Sequence, residues 1–180
     1  MKHLYYIRHG LSEANKANHW SGSMNTPLSS EGHEQAKKAG EKAKADGLAF
    51  DIIISSPLDR ALHTAHHIAN KVGYPIEDIH VRPEFVERSF GELEGWSNPE
   101  AVAKYKESEM NIDGYQNVER LIDLQWRTKK ALEYLHSLPH ERVLVVGHGA
   151  FARALIRTIE GQPITVHVEP LPNAEIKKLL

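Results

Sequence analysis

The sequence predicts an α/β fold, a three-layer α/β/α sandwich with a mostly parallel central sheet. Short apolar runs at Leu4–Ile7, Phe50–Ile54 and Arg142–Val146 alternate with longer helix-forming stretches. That is the order expected when helices cross over a parallel sheet. The second and third runs are almost continuously apolar, as in strands buried on both faces. The chain has 180 residues, enough for a sizeable core, and residues 1–180 read as a single domain because no linker or repeat divides them.

Each element follows from local chemistry. After the first strand, Ser12 can cap a short helix reaching towards Asn18, and Trp20 to Pro27 reads as a loop. Glu31 to Asp46 is rich in Ala, Lys, Glu and Gln and predicts a helix with Gly47 just past its end. Ser56 and Pro57 suit the N-cap and first position of the next helix. That helix carries Leu58, Ala61, Leu62, Ala65, Ile68, Ala69 and Val72 on one stripe. A short strand is expected at Ile79 to Val81, followed by a polar stretch from Pro83 to Gly95. Helices are predicted from Asn98–Pro99 to Glu109 and from Val118 to Ser137. The last helix runs from Ala150 to Glu160, and Ala174 to Leu179 reads as a late strand.

Composition excludes several functions. Hydrophobic content of 41% with 26% charged residues suits a soluble globular protein. The formal net charge of −2 offers no electrostatic basis for nucleic acid or an anionic membrane as partner. No apolar run is long enough to span a bilayer, and Arg8 and His9 interrupt the first run too early for a signal peptide. The absence of cysteine rules out a disulfide framework, a thiolate nucleophile and a Cys-based zinc site. The expectation is a soluble, cytoplasmic protein. Nothing in the sequence specifies its oligomeric state.

The strand ends carry the functional signal. The first strand ends in Arg8-His9-Gly10. The second ends in Ser55-Ser56, with Arg60 one turn into the helix, and the third in Gly147-His148-Gly149. In open α/β sheets, ligands bind outside the carboxyl ends of strands, so these groups can converge. Two Arg and two His around one point make a pocket for a phosphoryl group, because the guanidinium fork matches phosphate oxygens. Helix N-termini near Ser12, Ser56 and Gly149 would add amide donors. A neutral imidazole can attack phosphorus to form a phosphohistidine. Glu87, Glu92 and Glu94 are candidate acids for the leaving alkoxide, provided burial raises the pKa of one of them. The scheme requires no metal or cofactor.

In combination these residues resemble the histidine phosphatase superfamily, which includes the cofactor-dependent phosphoglycerate mutases. The resemblance runs in order through Leu4 to Gly10 with Asn15, Ser21-Gly22, Leu28 to Gly32, Ser55 to Ala61, Glu87 to Gly91 and Gly147 to Gly149. It implies His9 as the phosphorylated nucleophile and Glu87 as the proton donor. Arg8, Arg60 and His148 would bind the transferring phosphoryl group, with Asn15, Ser21, Gly22 and Gly149 lining the substrate site. Glycolytic mutases of the family are longer. They grip a carboxylate with a Lys-Tyr-Gly element and an Arg-Arg pair. Ala103 to Lys106 mimics the first element, but Met110 to Gln116 contains no Arg, and Phe90 stands where those mutases have a Tyr. The expectation is therefore a phosphatase on a small phosphomonoester. A mutase is the second reading, with a protein phosphohistidine phosphatase or a phosphate-binding module behind it.

His63, His66 and His67 have helical spacing that could suit a metal. The apolar stripe lies on the opposite helix face, so His63 and His67 are expected to point to solvent, and no metal site is assigned. The other histidines, His19 and His33 among them, read as surface or loop residues. Trp20 and Trp96 are expected at the pocket rim, and Trp126 in helix packing.

Overall fold

The computed structural model describes residues 1–180. Five strands form one sheet: β1 (His3–Arg8), β2 (Ile52–Ser55), β3 (His80–Val81), β4 (Arg142–Gly147) and β5 (Ile176–Lys178). Their order is β3-β2-β4-β1-β5, parallel except for β5. The helices are α1 (Glu13–Lys16), α2 (Ser30–Ala45), α3 (Asp59–Val72), α4 (Pro99–Glu107), α5 (Leu121–Ser137) and α6 (Gly149–Ile159). The expected sandwich is present.

Strand alternation sorts the core into two layers. Leu4, Tyr6, Ile52, Ile54, Val143 and Val145 pack on one face with Leu124 and Leu135 of α5 and Phe151 and Leu155 of α6. Ile7, Ile53, Leu144 and Val146 pack on the other with Ala61, Ala65 and Ile68 of α3 and Ala39 of α2. Nearly continuous apolar strands are thus required, since both faces are covered. The helix after β1 therefore lies on one face and the helix after β4 on the opposite one. Because β1 and β4 are neighbours, their carboxyl ends border a crevice.

Local chemistry sets most element ends. Ser29 Oγ caps α2 by accepting from the Gly32 amide at 3.0 Å. Ser12 and Asn15 form a reciprocal capping box on α1, which stops at Lys16, short of Asn18. The loop after β1 passes very close to the first turn of α2. A Cβ on Gly10 would lie 2.4 Å from the Gly32 carbonyl oxygen, and one on Gly32 would lie 2.1 Å from that of Leu11. Glycine at both positions is what lets Arg8 and His9 end above the sheet.

Several boundaries differ from expectation. α3 begins at Asp59 with Leu58 as its N-cap and no side-chain cap, so Ser56 and Pro57 precede the helix. Ser56 is drawn into the crevice, where its hydroxyl meets His148. α4 ends at Glu107, and a separate 3₁₀ turn covers Glu109–Ile112. α5 starts at Leu121, because Val118 forms a bridge with Phe90. The strands expected at Phe50 to Ile54, Ile79 to Val81 and Ala174 to Leu179 are Ile52–Ser55, His80–Val81 and Ile176–Lys178. Trp126, expected to pack, is 65% exposed. It lies on the solvent side of α5, whose buried face is Leu121, Leu124, Thr128, Ala131 and Leu135. No helix is long and apolar enough to cross a membrane.

Candidate active site

The crevice between β1 and β4 opens into a cavity of about 170 Å³. Arg8, His9, Asn15, Ser21, Gly22, Arg60, Glu87 and Gly149 all line it. His148 lies directly behind, with its ring 5.2 Å from that of His9. The residues expected from the three strand ends do converge. A larger groove of about 600 Å³ runs along α5 past Trp126, but it gathers no comparable set of charged and titratable groups. Chemistry, not size, selects the site.

His9 is fixed in one tautomer. Arg60 Nε donates to His9 Nε2 at 3.3 Å, so Nε2 carries the lone pair. The proton of the neutral ring is then on Nδ1, which donates to the Gly10 carbonyl at 2.7 Å. Burial holds the His9 pKa well below the usual range, and the neighbouring Arg60 and Arg8 push it further down. His148 is shifted the same way, by burial first and then by Arg60, His9 and Arg8. Both imidazoles are neutral at physiological pH, and the lone pair of His9 is on Nε2, where Arg60 Nε meets it at 3.3 Å.

The cations around them have spare donors. Arg60 is almost fully buried and ties down the loop above it, donating Nη1 to the Met24 carbonyl and Nη2 to that of Gly22, both at 2.7 Å. Arg8 Nη1 donates to the Leu171 carbonyl at 3.2 Å, while its buried Nε has no partner. His148 Nε2 shares a 2.7 Å hydrogen bond with Ser56 Oγ, and its buried Nδ1 has none. Buried polar atoms without partners are rare in folded proteins. Two of them beside one cationic cavity match the needs of an anion with several oxygens.

His148 is anchored through its main chain as well. The buried Tyr6 hydroxyl accepts from the His148 amide at 2.7 Å and donates to its carbonyl at 2.9 Å. Gly147 makes this possible, because a Cβ there would lie 2.3 Å from the Tyr6 oxygen.

Glu87 forms another wall. Its carboxylate accepts from the amides of Ala150 at 3.0 Å and of Phe151 and Arg88 at 2.9 Å. The α6 N-terminus was expected to offer donors to an anion directly; two of its amides instead hold Glu87. At α3, Asn25 Oδ1 takes the Asp59 amide. The structure also separates Glu87 from its neighbours. Glu92 caps the Gln116 amide, and Glu94 ties Ser23 and the Phe90 amide together beneath the Gly22 loop.

Three further residues line the cavity: His19, read from the sequence as a surface or loop residue, Tyr105 of the Ala103–Lys106 element, and Arg153, which the sequence reading missed. Arg153 stands four residues after Gly149, on the same face of α6, a spacing that could have revealed it. Its guanidinium pairs with Glu109 at 3.0 Å and meets the Tyr105 hydroxyl. Lys104, beside Tyr105, points away to Glu100. Trp20 lines the rim as expected, its ring tilted against Phe90 with centroids 4.8 Å apart, whereas Trp96 is half-exposed and does not line the cavity. Between α3 and α2, His67 Nε2 meets His33 Nδ1 at 2.9 Å. His67 thus packs against α2 instead of standing free in solvent, and His33 belongs with the α3 histidines.

Comparison with known proteins bears on the fold and the family. The 2,3-bisphosphoglycerate-dependent phosphoglycerate mutase of Brucella melitensis is 36% identical over 172 residues, covering 88% of this chain and 81% of its own. The Entamoeba histolytica phosphoserine phosphatase, solved with 3-phosphoglyceric acid, superposes with a TM-score of 0.80 at 26% identity over 99% of this chain and 90% of its own. A mycobacterial glucosyl-3-phosphoglycerate phosphatase shares the fold, with a TM-score of 0.85 at 24% identity over 99% and 92% of the two chains. Residues 4–180 match the histidine phosphatase superfamily (branch 1), and the chain belongs to that family.

Proposed function

We propose that this protein is a phosphatase that hydrolyses a small phosphomonoester through a phosphohistidine on His9. The observation that carries the reading is the neutral His9 ring. Its ring lines a cavity with the lone pair on Nε2 beside Arg60, Arg8 and Arg60 supply positive charge there, and Arg8 Nε and His148 Nδ1 have no partner.

In the first step Nε2 attacks phosphorus, the ester P–O bond breaks, and the leaving oxygen takes a proton from Glu87. Arg8, Arg60 and His148 stabilise charge on the equatorial oxygens as the group transfers. In the second step water attacks phosphorus and gives its proton to the Glu87 carboxylate as the P–N bond breaks. Inorganic phosphate leaves, and His9 is neutral again. Asn15, Ser21, Gly22 and Gly149 border the bound substrate.

The mutase reading has its own support, because curated relatives at 36% identity carry that name. Phosphatase ranks first on the retention of the non-reacting end. No Arg-Arg pair exists in 110–116, and Lys104 is engaged at the surface with Glu100. A phosphoglycerate released from His9 then has few anchors to hold it for re-phosphorylation. The two are separated with 3-phosphoglycerate and a 2,3-bisphosphoglycerate primer. Phosphate release is expected to outpace isomerisation; the reverse would overturn the choice. Hydrolysis of p-nitrophenyl phosphate is expected to persist in EDTA and to fall at least a thousandfold (roughly, for loss of a covalent nucleophile) in His9→Ala. Unchanged turnover in that variant sinks the mechanism.

A further inference from the structure

We infer that Arg127 is the positioning residue for Glu87, setting the proton donor's placement from the rear of the site. The inference rests on the phosphatase reading, in which Glu87 supplies the leaving-group proton. Arg127 lies on α5, outside the cavity lining. Every donor of its guanidinium is used. Nε and one Nη2 donor grip the Glu119 carboxylate in bidentate fashion at 2.9 and 2.8 Å. Nη1 donates to the carbonyls of Glu84 at 3.0 Å and Val86 at 2.8 Å, and Nη2 reaches that of Glu87 at 3.4 Å. These are the five N–H donors a guanidinium possesses.

The segment so held leaves the 3₁₀ turn at Pro83–Phe85 and runs on irregularly from Val86 to Ser89. Its far end is held by the Arg88 guanidinium, which donates to the Glu119 and Glu109 carbonyls and pairs with Asp113. Three carbonyls bound to one planar fork restrain the peptide planes on either side of Glu87. The guanidinium carbon also lies 5.3 Å from the Phe151 ring centroid. The Phe151 amide is one of the donors on the Glu87 carboxylate. Arg127 therefore bears on both ends of Glu87, the backbone behind it and the helix turn that grips its oxygens. Glu119 completes the frame, since its carbonyl accepts from Arg88 Nε at 2.8 Å and its amide donates to the Ser89 carbonyl at 2.9 Å. A lysine carries the same charge but cannot reach this many acceptors in one plane.

A displaced acid penalises poor leaving groups more than good ones, which separates positioning from a structural role. The test measures kcat and KM of the full chain on p-nitrophenyl phosphate and on glycerol 2-phosphate, for wild type, Arg127→Lys, Arg127→Met, Glu119→Gln and Glu87→Gln. In Arg127→Lys the alkyl kcat is expected to drop about tenfold or more, with the aryl kcat within about threefold and both KM values little changed. Adding Arg127→Lys to Glu87→Gln is expected to change the alkyl-to-aryl ratio no further, because one pathway is already lost. Equal losses on the two esters, or full additivity with Glu87→Gln, would overturn the inference. Should both Arg127 variants fail to fold, Glu119→Gln decides: a lowered alkyl-to-aryl ratio supports it and an unchanged ratio overturns it. A wild-type chain that hydrolyses neither ester overturns the phosphatase reading and this inference together, whereas an active wild type with unaltered ratios overturns this inference alone.

Discussion

The Tyr6 hydroxyl shows how a single atom can serve the site without touching substrate. It satisfies both the amide and the carbonyl of His148, in a place no water reaches. Burial keeps this phenol protonated by raising its pKa far above the ordinary value, so the donor is always present. Tyr6→Phe leaves the buried His148 amide unpaired, while the His148 carbonyl keeps the Ala152 amide at 3.1 Å. The expected loss is about 1–3 kcal/mol in urea denaturation, with the slope of the transition unchanged. Turnover of an aryl phosphate is expected to fall as well, because His148 loses its register against His9. A Tyr6→Phe variant as stable and as active as the wild type would contradict this account. Tyr6 reads in the sequence as one more strand residue. Its partner is 142 positions away, and only strand pairing brings Gly147 beside it to open the necessary space.

At the level of elements, the α2–α3 pair adds to a pH dependence that the buried site histidines share. His67 packs against His33, and its pKa is lowered by burial first and then by His33, Lys37 and His63, with Glu34 opposing. His66 is lowered too, by burial and by His63. His9 and His148, fully buried, move in the same direction. In each case the unfolded chain takes up a proton near pH 6.5 that the folded chain refuses. Stability is therefore complete above about pH 6.5 and declines as pH falls from there towards the folded-state values. The urea midpoint is expected to drop between pH 7 and 5, with a shallower drop in His67→Gln. A midpoint that rises on acidification would refute the assignment. The sequence revealed three of these histidines as a helical set but not the fourth. His33 sits on another element, and helical spacing says nothing of what faces across an interface.

Across the whole molecule, two sheet faces differ in what their helices leave exposed. α5 turns its apolar stripe inward and leaves Trp126 and Ile122 outside, 65% and 55% exposed. Trp126→Ala is therefore expected to change stability by no more than about 0.5 kcal/mol, and aryl phosphate turnover not at all. A loss of about 3 kcal/mol, as for a buried aromatic, would show that the side chain packs after all. Its position in a predicted helix had suggested a packing role; helical phase relative to Leu121, Leu124 and Leu135 places it outside.

Much of the architecture and of the site is legible in the amino-acid sequence. Apolar runs with helical stretches between them specify the sandwich, because covering both sheet faces demands that pattern. Three polar strand ends then specify a cationic cavity, since parallel strands deliver their ends to one rim. What the tertiary structure decided lies in contacts between segments distant in sequence. The tautomer of His9 depends on Arg60, and the placement of Glu87 on the α6 amides and Arg127. Such contacts follow from how elements pack, and local sequence spacing carries no record of them.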